Sequence, residues 1–379
     1  LYFSTALASA LALLALAVVP VGMSLALDFA VVSMLALAVL GYLPGKTARL
    51  FFVTLCAWVV VRYIAWRFDS LPLDASLAAS VGAVLLLLAE LYGVSMLLLG
   101  LFVNAWPLER APTPLPRDQA QWPTVDVFIP TYSESLEVVA PTVLGALEID
   151  YPREKLRVYV LDDGWPRSQS AQDPEQRARL AERTERLKAL CAEHGATWLT
   201  RKNNEHAKSG NMNCALKHSR GELVLVLDAD HVPTRDIVKN MAGAFLRDDR
   251  LAFVQSPHFF LNADPLEKNL GLFNKIPAEN DMFYRRIQKG LDLWNTSFFC
   301  GSAALLRRSA IEDVGGFSTD SITEDASTSV KMHQRGWRSA YVSVPMVAGL
   351  QPETFAGFIV QRLGWAMGMV QILVKQNPL

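Results

Sequence analysis

Two aspartates separated by one residue follow an apolar run in the middle of the chain. The run Leu223 to Leu227 leads directly into Asp228 and Asp230. In an extended strand, residues i and i+2 point to the same side, so the two carboxylates converge. Like charges this close repel unless a cation neutralises them, and hard oxygen ligands suit Mg²⁺, or alternatively Mn²⁺, bound with phosphates. The pattern predicts a metal and diphosphate site, with the neighbouring His231 as a structural hydrogen-bonding residue outside the metal shell.

Polar residues also follow two other apolar runs. Val125 to Ile129 precedes a cluster that contains Thr131, Tyr132 and Glu134, and Leu156 to Leu161 precedes Asp162 and Asp163. Carboxylates at strand ends can accept hydrogen bonds from ribose hydroxyls or a uracil N–H. Each cluster alone is also ordinary turn chemistry. Their shared position after a strand favours a nucleotide site.

A lysine opens a helix between these runs. Lys208 lies in the segment His-Ala-Lys-Ser-Gly-Asn at 206–211. Amides at the N-terminus of a helix favour anions. Lys208 is therefore predicted to contact the diphosphate.

These residues need a scaffold, and the pattern of the chain between 124 and 350 predicts one. Short apolar runs alternate with helical patterns at 135–148, 174–194 and 208–219. Alternation of this kind indicates buried parallel strands in a Rossmann-like α/β domain, in which ligands bind outside the carboxyl ends of the strands.

The first 104 residues carry almost no charge and predict four membrane spans, at about 2–19, 23–43, 49–67 and 76–104. Each is close to the roughly 20 apolar residues that a bilayer requires. More apolar sequence follows the first span, which argues against a cleaved signal peptide. Basic residues flank the spans on one side only, so the polar domain is predicted to be cytoplasmic. A Pro-rich linker is expected over 105–123.

Glu90 interrupts the fourth span. A charge at the centre of a span costs about 3 kcal/mol, but the surrounding Leu and Val residues offset it. The carboxyl group either faces a polar conduit or bonds a neighbouring helix, and the second interpretation is favoured.

Composition excludes other classes of protein. The net charge of −1 and the absence of a basic block argue against a nucleic-acid partner. Four scattered cysteines without a CxxC pair argue against disulfides and zinc. Because the chain begins with Leu1 and ends after an amphipathic stretch, we expect it to be a fragment of a longer protein.

Two stretches mix apolar and basic residues. The segment at about 266–293 and the one at 351–379 suit amphipathic helices that lie along the membrane surface.

Six motifs in order carry a resemblance to a known family. They are Pro-Thr-Tyr-Ser-Glu at 130–134, Leu-Asp-Asp-Gly at 161–164, His-Ala-Lys-Ser-Gly-Asn at 206–211, Asp-Ala-Asp-His at 228–231, Phe-Phe-Cys-Gly-Ser at 298–302 and Thr-Glu-Asp at 323–325. With them the chain resembles glycosyltransferase family 2, and within it the processive enzymes of the bacterial cellulose synthase type. The resemblance covers essentially the whole chain and implies a GT-A fold.

The resemblance implies a role for each motif. It places the catalytic base at Asp325, with Glu324 and Thr323 beside it. From the residues alone, Thr323 or Asp325 is equally a helix N-cap. Contacts with a UDP-sugar are implied for Thr131, Tyr132, Glu134, Asp162, Asp163, Lys208, Asp228, Asp230, Gln361 and Arg362, with Asp228 and Asp230 also holding the metal.

Acceptor binding is implied for Phe299, Cys300, Gly301 and Trp365. The residues themselves leave alternatives open. The aromatic cluster also suits core packing, and Trp365 also suits an anchor at the membrane interface.

One position departs from the family. The family pattern Gln-x-x-Arg-Trp meets Gln361-Arg362-Leu363-Gly364-Trp365 here, with Gly364 in place of the arginine. That arginine would neutralise the leaving group through charge-assisted contacts that glycine cannot make. The departure predicts impaired turnover unless Arg362 replaces it, which is awkward because residues two apart on a helix face different ways.

The implied reaction is inverting transfer of glucose from UDP-glucose to the 4-hydroxyl of a β-1,4-glucan, in the bacterial inner membrane. Alternatives are synthesis of chitin, hyaluronan or a β-1,3-glucan, and a non-catalytic membrane protein that binds UDP-sugars. The resemblance further implies a periplasmic accessory subunit, and regulation by cyclic di-GMP through a domain that this sequence does not contain.

Overall fold

The computed structural model describes residues 15–19, 21–73 and 76–377. The chain divides into two compact units, Leu1–Pro107 and Leu108–Leu379. The first predicted span, 2–19, lies outside the described residues except for 15–19.

Three long helices form the described part of the first unit: α1 Met23–Tyr42, α2 Lys46–Asp69 and α3 Leu77–Val103. They match the second, third and fourth predicted spans. Their mean hydropathies of 2.1, 1.7 and 2.2 make each apolar enough to cross a bilayer. The side chains of α1 and α3 are largely exposed, as lipid-facing helices require, whereas most of those of α2 are half-buried.

The charge at Glu90 is paired between two of these helices. Its Oε2 lies 2.7 Å from Nε of Arg67, and both side chains are largely buried. Arg67 belongs to α2 and Glu90 to α3, so the favoured interpretation, a bond to a neighbouring helix, agrees with the structure. An ion pair removes most of the cost of an isolated charge in apolar surroundings.

The second unit is built on a mixed seven-stranded sheet with the order β3-β2-β1-β4-β8-β6-β9, and a three-stranded sheet with the order β5-β10-β7. The strands are β1 Val125–Thr131, β2 Leu156–Asp162, β3 Thr197–Leu199, β4 Leu223–Val226, β5 Val232–Pro233, β6 Leu251–Gln255, β7 His258–Phe260, β8 Ala304–Arg307, β9 Arg338–Tyr341 and β10 Val347–Gly349. Strands β1, β2 and β4 are parallel, as predicted.

Helices cover both faces of the large sheet, and each face has its own apolar core. The helices of the second unit are α4 Leu136–Leu147, α5 Gly164–Ser170, α6 Pro174–His194, α7 Ala207–His218, α8 Ile237–Phe245, α9 Pro265–Leu270, α10 Glu279–Met282, α11 Gln288–Leu293, α12 Arg308–Asp313, α13 Glu324–Gln334 and α14 Phe355–Gln376. Short 3₁₀ turns lie at Gln119–Gln121 and Arg153–Lys155, and a π turn at Phe283–Ile287.

Helix α6 has the bounds that its sequence predicts. The side chain of Asp173 accepts hydrogen bonds from the backbone N–H groups of Glu175 and Gln176, which satisfies the first turn. Gly195 ends the helix in the left-handed conformation, with φ of 82°.

The single helix predicted over 266–293 is instead broken. Helix α9 ends at Gly271, whose φ of 63° is left-handed. Pro277 precedes α10, the π turn and α11. A left-handed glycine and a proline each stop an α-helix, so the segment is divided into α9 and a second helical stretch that runs through the π turn from Glu279 to Leu293.

The segment 105–123 differs from a free linker. From Leu108 onward it belongs to the second unit. The N–H of Leu108 donates to the carbonyl of Lys289, and the indole of Trp122 donates to the carbonyl of Pro116. The proline-rich stretch therefore packs on the second unit, where Leu115 and Trp122 lie against an apolar core.

Helix α14 corresponds to the predicted C-terminal interface helix. Its length and mean hydropathy of 1.3 also suit a membrane crossing. It packs on the start of α13, where Gly368 approaches Thr323 so closely that an added Cβ would collide with Oγ1 of that residue. Location at a membrane surface stays a prediction.

Candidate active site

The carboxyl ends of β1, β2 and β4 meet at a cavity of about 520 Å³, here called the strand-end cavity. Parallel pairing brings the residues that follow these strands to one edge of the sheet. Of the predicted residues, it is lined by Thr131, Tyr132, Glu134, Asp163, Lys208, Asp228 and Asp230. The structure therefore brings seven of the predicted donor residues together at one cavity.

Glu134 organises the turn after β1. Its Oε2 accepts hydrogen bonds from Oγ1 of Thr131 at 2.7 Å and from the N–H groups of Tyr132 and Ser133 at 2.7 and 3.1 Å. Burial would raise the pKa of Glu134, but these donors favour the anion and lower the pKa overall. The carboxylate thus stays charged at the rim of the cavity.

Asp162 differs from its predicted role as a substrate contact. Its side chain is fully buried, and its Oδ1 lies 2.8 Å from Nη1 of Arg183. It does not line the strand-end cavity. Since Nη2 of Arg183 also donates to Oγ1 of Thr131 at 2.6 Å, Asp162 and Arg183 together support the turn after β1.

Asp163, in contrast, lines the cavity. Arg201 holds it through two parallel bonds, with Nε to Oδ1 and Nη2 to Oδ2 both at 2.7 Å. Burial raises the pKa of Asp163 in spite of this partner. Sequence reasoning missed Arg183 and Arg201, because neither stands beside its partner in the chain.

Lys208 joins three segments of the site. Its Nζ lies 2.5 Å from Oδ1 of Asp228, 2.8 Å from the carbonyl oxygen of Gly301 and 3.9 Å from Oε1 of Glu324. Burial alone would lower the pKa of Lys208, but the neighbouring carboxylates raise it above its ordinary value. Lys208 is the only lysine or arginine among the described residues that line this cavity.

Asp228 and Asp230 both face the cavity, as their spacing predicts. Lys208 lowers the pKa of Asp228 against the effect of burial. The pKa of Asp230 is raised by burial and by the charges of Asp228 and Glu134. The carboxylates around Asp230 leave an excess of negative charge, which a divalent cation would neutralise. Within the described chain no group of three or more His, Cys, Asp or Glu side chains has metal-binding geometry, so the remaining ligands would be phosphate and water.

His231 is buried behind the aspartates in a hydrogen-bond network. Its Nδ1 lies 2.7 Å from Oγ of Ser302, which accepts from the N–H of Asp228 at 2.9 Å. His258 lies at 4.6 Å from the His231 ring and hydrogen-bonds the hydroxyl of Tyr284. Burial lowers the pKa of His258 to about 3, so this ring is neutral. In this structure His231 is a supporting residue.

A second cavity of about 270 Å³, the central cavity, adjoins the first and shares Lys208, Asp228 and Asp230 with it. Thr323, Glu324 and Asp325 line its other side, together with Cys300, Gly301, Gln361 and Trp365. The predicted base thus lies within reach of the predicted metal residues.

Asp325 lies in the first turn of α13. Its Oδ1 accepts the N–H of Ala326 at 2.8 Å. Burial and the neighbouring charge of Glu324 raise the pKa of Asp325 to about 7. Thr323 holds the N-cap position without a capping bond from its side chain. A carboxyl group with a pKa near 7 in a cavity is suited to accept a proton near neutral pH.

A third cavity of about 280 Å³, the apolar cavity, shares Cys300, Thr323, Asp325 and Trp365 with the central one. Aromatic and aliphatic groups line most of it, including Met282, Phe283, Phe298 and Met369. The three cavities therefore adjoin in series, with Asp325 where the central and apolar cavities meet.

The predicted acceptor residues lie in two different surroundings, the apolar core and the cavities. Phe299 is fully buried and packs on Phe317, so here the alternative of core packing is right. Cys300 and Gly301 line the central cavity. Gly301 has a φ of 79°, and a Cβ there would lie 3.1 Å from Oδ2 of Asp325 and 3.2 Å from Nζ of Lys208. Glycine is thus needed for both conformation and space.

Helix α14 brings Gln361 and Trp365 to the central cavity, but Arg362 lies elsewhere. Its Nη2 pairs with Oε2 of Glu279 at 3.1 Å, and it lines the apolar cavity rather than the strand-end cavity. Arg362 therefore lies away from the cavity at which the other predicted donor residues meet.

Gly364 leaves open space on α14. A Cβ there would meet nothing within 4 Å. Positions 361, 364 and 368 are three to four residues apart and share a helix face, whereas 362 and 364 are about 200° apart. Arg362 therefore does not replace the arginine that the family pattern carries at 364.

Two sequence families match the chain. One, described as glycosyl transferase family 2, matches residues 126–315, and the other, described as cellulose synthase, matches residues 312–379. The first match covers half of the chain and includes both aspartates of the strand-end cavity. The chain belongs to glycosyl transferase family 2.

Curated relatives agree with this assignment. A cellulose synthase catalytic subunit (UDP-forming) of Xanthomonas axonopodis pv. citri is 44% identical over 88% of this chain and 44% of its own length. A cellulose synthase 1 catalytic subunit (UDP-forming) of Komagataeibacter xylinus is 42% identical over 97% of this chain and 47% of its own length. The chain thus spans about half the length of these relatives.

The fold has a solved counterpart. A mannosyltransferase from Pyrobaculum calidifontis, solved in complex with GDP-Man and Mn²⁺, is 27% identical with a TM-score of 0.54, over 76% of this chain and 74% of that one. The likeness confirms the predicted GT-A type of α/β fold.

Proposed function

We propose that the chain is the catalytic part of a cellulose synthase, which transfers glucose from UDP-glucose to the 4-hydroxyl of a growing β-1,4-glucan. The observation that carries the proposal is the position of Asp325. Its carboxyl group lies where the central and apolar cavities adjoin, and its pKa is about 7. The names of the relatives support the choice of donor and product.

The proposed step is a single displacement with inversion. The carboxylate of Asp325 accepts the proton of the acceptor's 4-hydroxyl as that oxygen forms a bond to the anomeric carbon. The bond between this carbon and the phosphate oxygen breaks, and its electron pair leaves with UDP. Because attack comes from the opposite side, an α-linked donor yields a β-linkage.

The residues of the strand-end cavity hold the donor. Glu134 and Asp163 present carboxylate oxygens to the nucleoside, and Lys208 presents its ammonium group to the diphosphate. Proton transfer to Asp325 is a separate contribution, and a positioned carboxylate of this kind contributes a factor of about 10² to 10⁴ in rate.

We propose Mg²⁺ as the bound metal, with Mn²⁺ as the alternative. Asp228 and Asp230 would hold it with the diphosphate. When bound, the cation supplies charge stabilisation for the departing UDP. The Mn²⁺ of the Pyrobaculum mannosyltransferase supports a divalent ion at this type of site.

The proposed location is the bacterial inner membrane, with the second unit in the cytoplasm. The three apolar helices α1 to α3 and the basic residues Lys46, Arg49 and Arg110 support it. The lipid bilayer and the glucan are then partners. A periplasmic subunit, and cyclic di-GMP through a further domain, belong to the proposal for the longer protein.

A specific observation favours a second candidate, a protein that binds UDP-sugars without turnover. Gly364 removes the cation that the family pattern carries, and Lys208 is the only lysine or arginine among the described residues that line the strand-end and central cavities. Loss of a charged contact with the leaving group lowers turnover more than binding.

The test is UDP release from the full chain in nanodiscs with Mg²⁺ and either UDP-glucose or UDP-N-acetylglucosamine. Release with UDP-glucose alone, together with a polymer that a β-1,4-glucanase digests, is the expected result. Polymer from the other sugar would support a chitin or hyaluronan synthase, and a glucan that resists the enzyme a β-1,3-glucan synthase. Donor binding without release would support the second candidate.

A further inference from the structure

The side chain of Arg362 lies over two aromatic rings on one face of α14. Its guanidinium carbon is 4.8 Å from the ring centroid of Phe358 and 4.4 Å from that of Trp365. Residues three and four positions apart on a helix are neighbours, so this ladder follows from their spacing. The indole of Trp365 is thus contacted by a cation and also lines the central and apolar cavities.

Glu279 fixes the guanidinium from another segment. Its Oε2 lies 3.1 Å from Nη2 of Arg362, and both residues line the apolar cavity. The next residue, Asn280, donates from its amide to Oε1 of Gln351 at 2.9 Å, which holds this segment in place. The ion pair therefore joins α14 to α10 at the cavity wall.

The position of Arg362 leaves one donor unpaired. Its Nε is buried and has no hydrogen-bond partner among the described residues. Buried donors in proteins are almost always paired, so an exception needs a reason. The ion pair and the two rings, rather than full hydrogen bonding, set this side chain.

An ordinary surface ion pair is present nearby for comparison. Arg285 and Asp281 lie 2.7 Å apart on the same segment, with exposed side chains. Neither lines the apolar or the central cavity. Exposed pairs of this kind contribute little. The pair of Glu279 and Arg362 differs because it abuts an aromatic ring that lines both cavities.

We propose that Glu279 and Arg362 act as a clamp that holds the indole of Trp365 in the orientation that stacks on the glucan acceptor. The inference rests on the proposed function, since it takes the acceptor to be a β-1,4-glucan in these cavities. Both residues are positioning residues, because they act through Trp365. A ring fixed in advance loses no rotamer freedom when the sugar binds, which tightens binding.

The test measures binding of cellopentaose, a β-1,4-linked glucose pentamer, to the full chain in nanodiscs by calorimetry, with UDP release followed separately. Glu279→Gln and Arg362→Gln are expected to raise the Kd for cellopentaose about three- to tenfold, the range for one side chain that must be ordered on binding. Arg362→Lys keeps the charge but loses the planar group that stacks on the indole, so it should recover only part of the affinity. The KM for UDP-glucose should stay within about twofold in all three variants.

Arg285→Gln is the matched control, because it breaks an ion pair of the same segment away from the cavities. Its Kd should equal that of the parent. Equal Kd values for parent, Glu279→Gln and Arg362→Gln would overturn the clamp, and so would a parent that releases UDP but does not bind cellopentaose. Variant-sensitive binding in a parent that releases no UDP would support the clamp while counting against the proposed function.

Discussion

The ammonium nitrogen of Lys208 lies 2.5 Å from a carboxylate oxygen of Asp228. This contact joins α7, which begins at Ala207, to Asp228, which follows strand β4. Lys208 is also the only lysine or arginine among the described residues that line the strand-end cavity. A bound diphosphate would therefore meet Lys208 already held in place by Asp228.

Replacing Lys208 should weaken donor binding. Hydrogen bonds to charged groups contribute about 1.5 to 3 kcal/mol, so Lys208→Met is expected to raise the Kd for UDP about 10- to 100-fold. Calorimetry with UDP and Mg²⁺ measures it. Lys202→Met is the control, because Lys202 is exposed and does not line the cavity. Equal affinities in both variants would remove Lys208 from the diphosphate site.

Activity should depend on the protonation of Asp325. Burial and the charge of Glu324 raise its pKa from 3.8 to about 7, and a base must be unprotonated, so kcat is expected to fall as pH drops through about 7. The effect on stability has the opposite sign, since the raised pKa stabilises the fold at low pH and this contribution is lost as pH rises toward 7. Rates between pH 5.5 and 8.5 measure the first effect.

Glu324→Gln provides the check on this assignment. It removes a neighbouring negative charge that raises the pKa of Asp325, so the midpoint of the rate profile should move to lower pH. Asp325→Asn should lose about 10² to 10⁴ in rate at every pH. A profile that Glu324→Gln leaves in place would assign the titration to another group.

Gly301 should resist substitution for two separate reasons. An alanine there would adopt a φ of 79°, and its Cβ would lie 3.1 Å from Asp325 and 3.2 Å from Lys208. The left-handed conformation costs about 1 to 2 kcal/mol. Gly301→Ala is therefore expected to lower both Tm and kcat, the latter about 10-fold or more through displacement of the base.

Gly315→Ala separates the two reasons. Gly315 has a similar φ of 85°, but a Cβ there meets nothing within 4 Å. This control should lower Tm by a similar amount and leave kcat unchanged. An equal loss of kcat in both variants would show that backbone strain alone causes it.

Much of the site could be predicted because its residues directly follow apolar runs. The ends of β1, β2 and β4 are visible in the sequence, and parallel pairing then places Thr131, Asp163 and Asp228 together. The sequence could not predict whether the side chain of a residue at a strand end faces the cavity or the protein interior. Asp162 and Asp163 are adjacent, yet one is buried against Arg183 and the other lines the cavity.

Side chains that pair with residues far away in the sequence could not be identified from the residues around them. Helix α6 has an Arg- and Glu-rich surface pattern, and nothing in the sequence separates Arg183 from Arg186. The break in 266–293 had a signal in Gly271 and Pro277, which the apolar pattern of the segment outweighed. Phe299 and Phe298 are likewise adjacent, and only the fold sends Phe299 into the core.

The buried pair of Asp162 and Arg183 should matter greatly for stability. Arg183→Met would leave the fully buried Asp162 carboxylate without its cation, which costs about 3 to 5 kcal/mol. Arg186→Met is the control on the same helix, because the pair of Arg186 with Glu137 is exposed and 3.7 Å long. We expect less than about 1 kcal/mol there. Denaturant unfolding followed by fluorescence compares the two, and equal losses would contradict the structural role of Arg183.

At Gly364, the effect of a substitution on the stability of α14 can be separated from its effect on turnover. A Cβ meets nothing within 4 Å, so both alanine and arginine fit. Gly364→Ala should stabilise α14 by about 1 kcal/mol, since glycine is a poor helix former, and leave kcat unchanged. Gly364→Arg should add a large gain in kcat for UDP-glucose, because position 364 shares a helix face with Gln361, which lines the central cavity. UDP release in nanodiscs measures this gain. If both variants turn over at the rate of the parent, the missing arginine does not limit this chain, and Lys208 together with the proposed metal ion is sufficient cationic support for the leaving group.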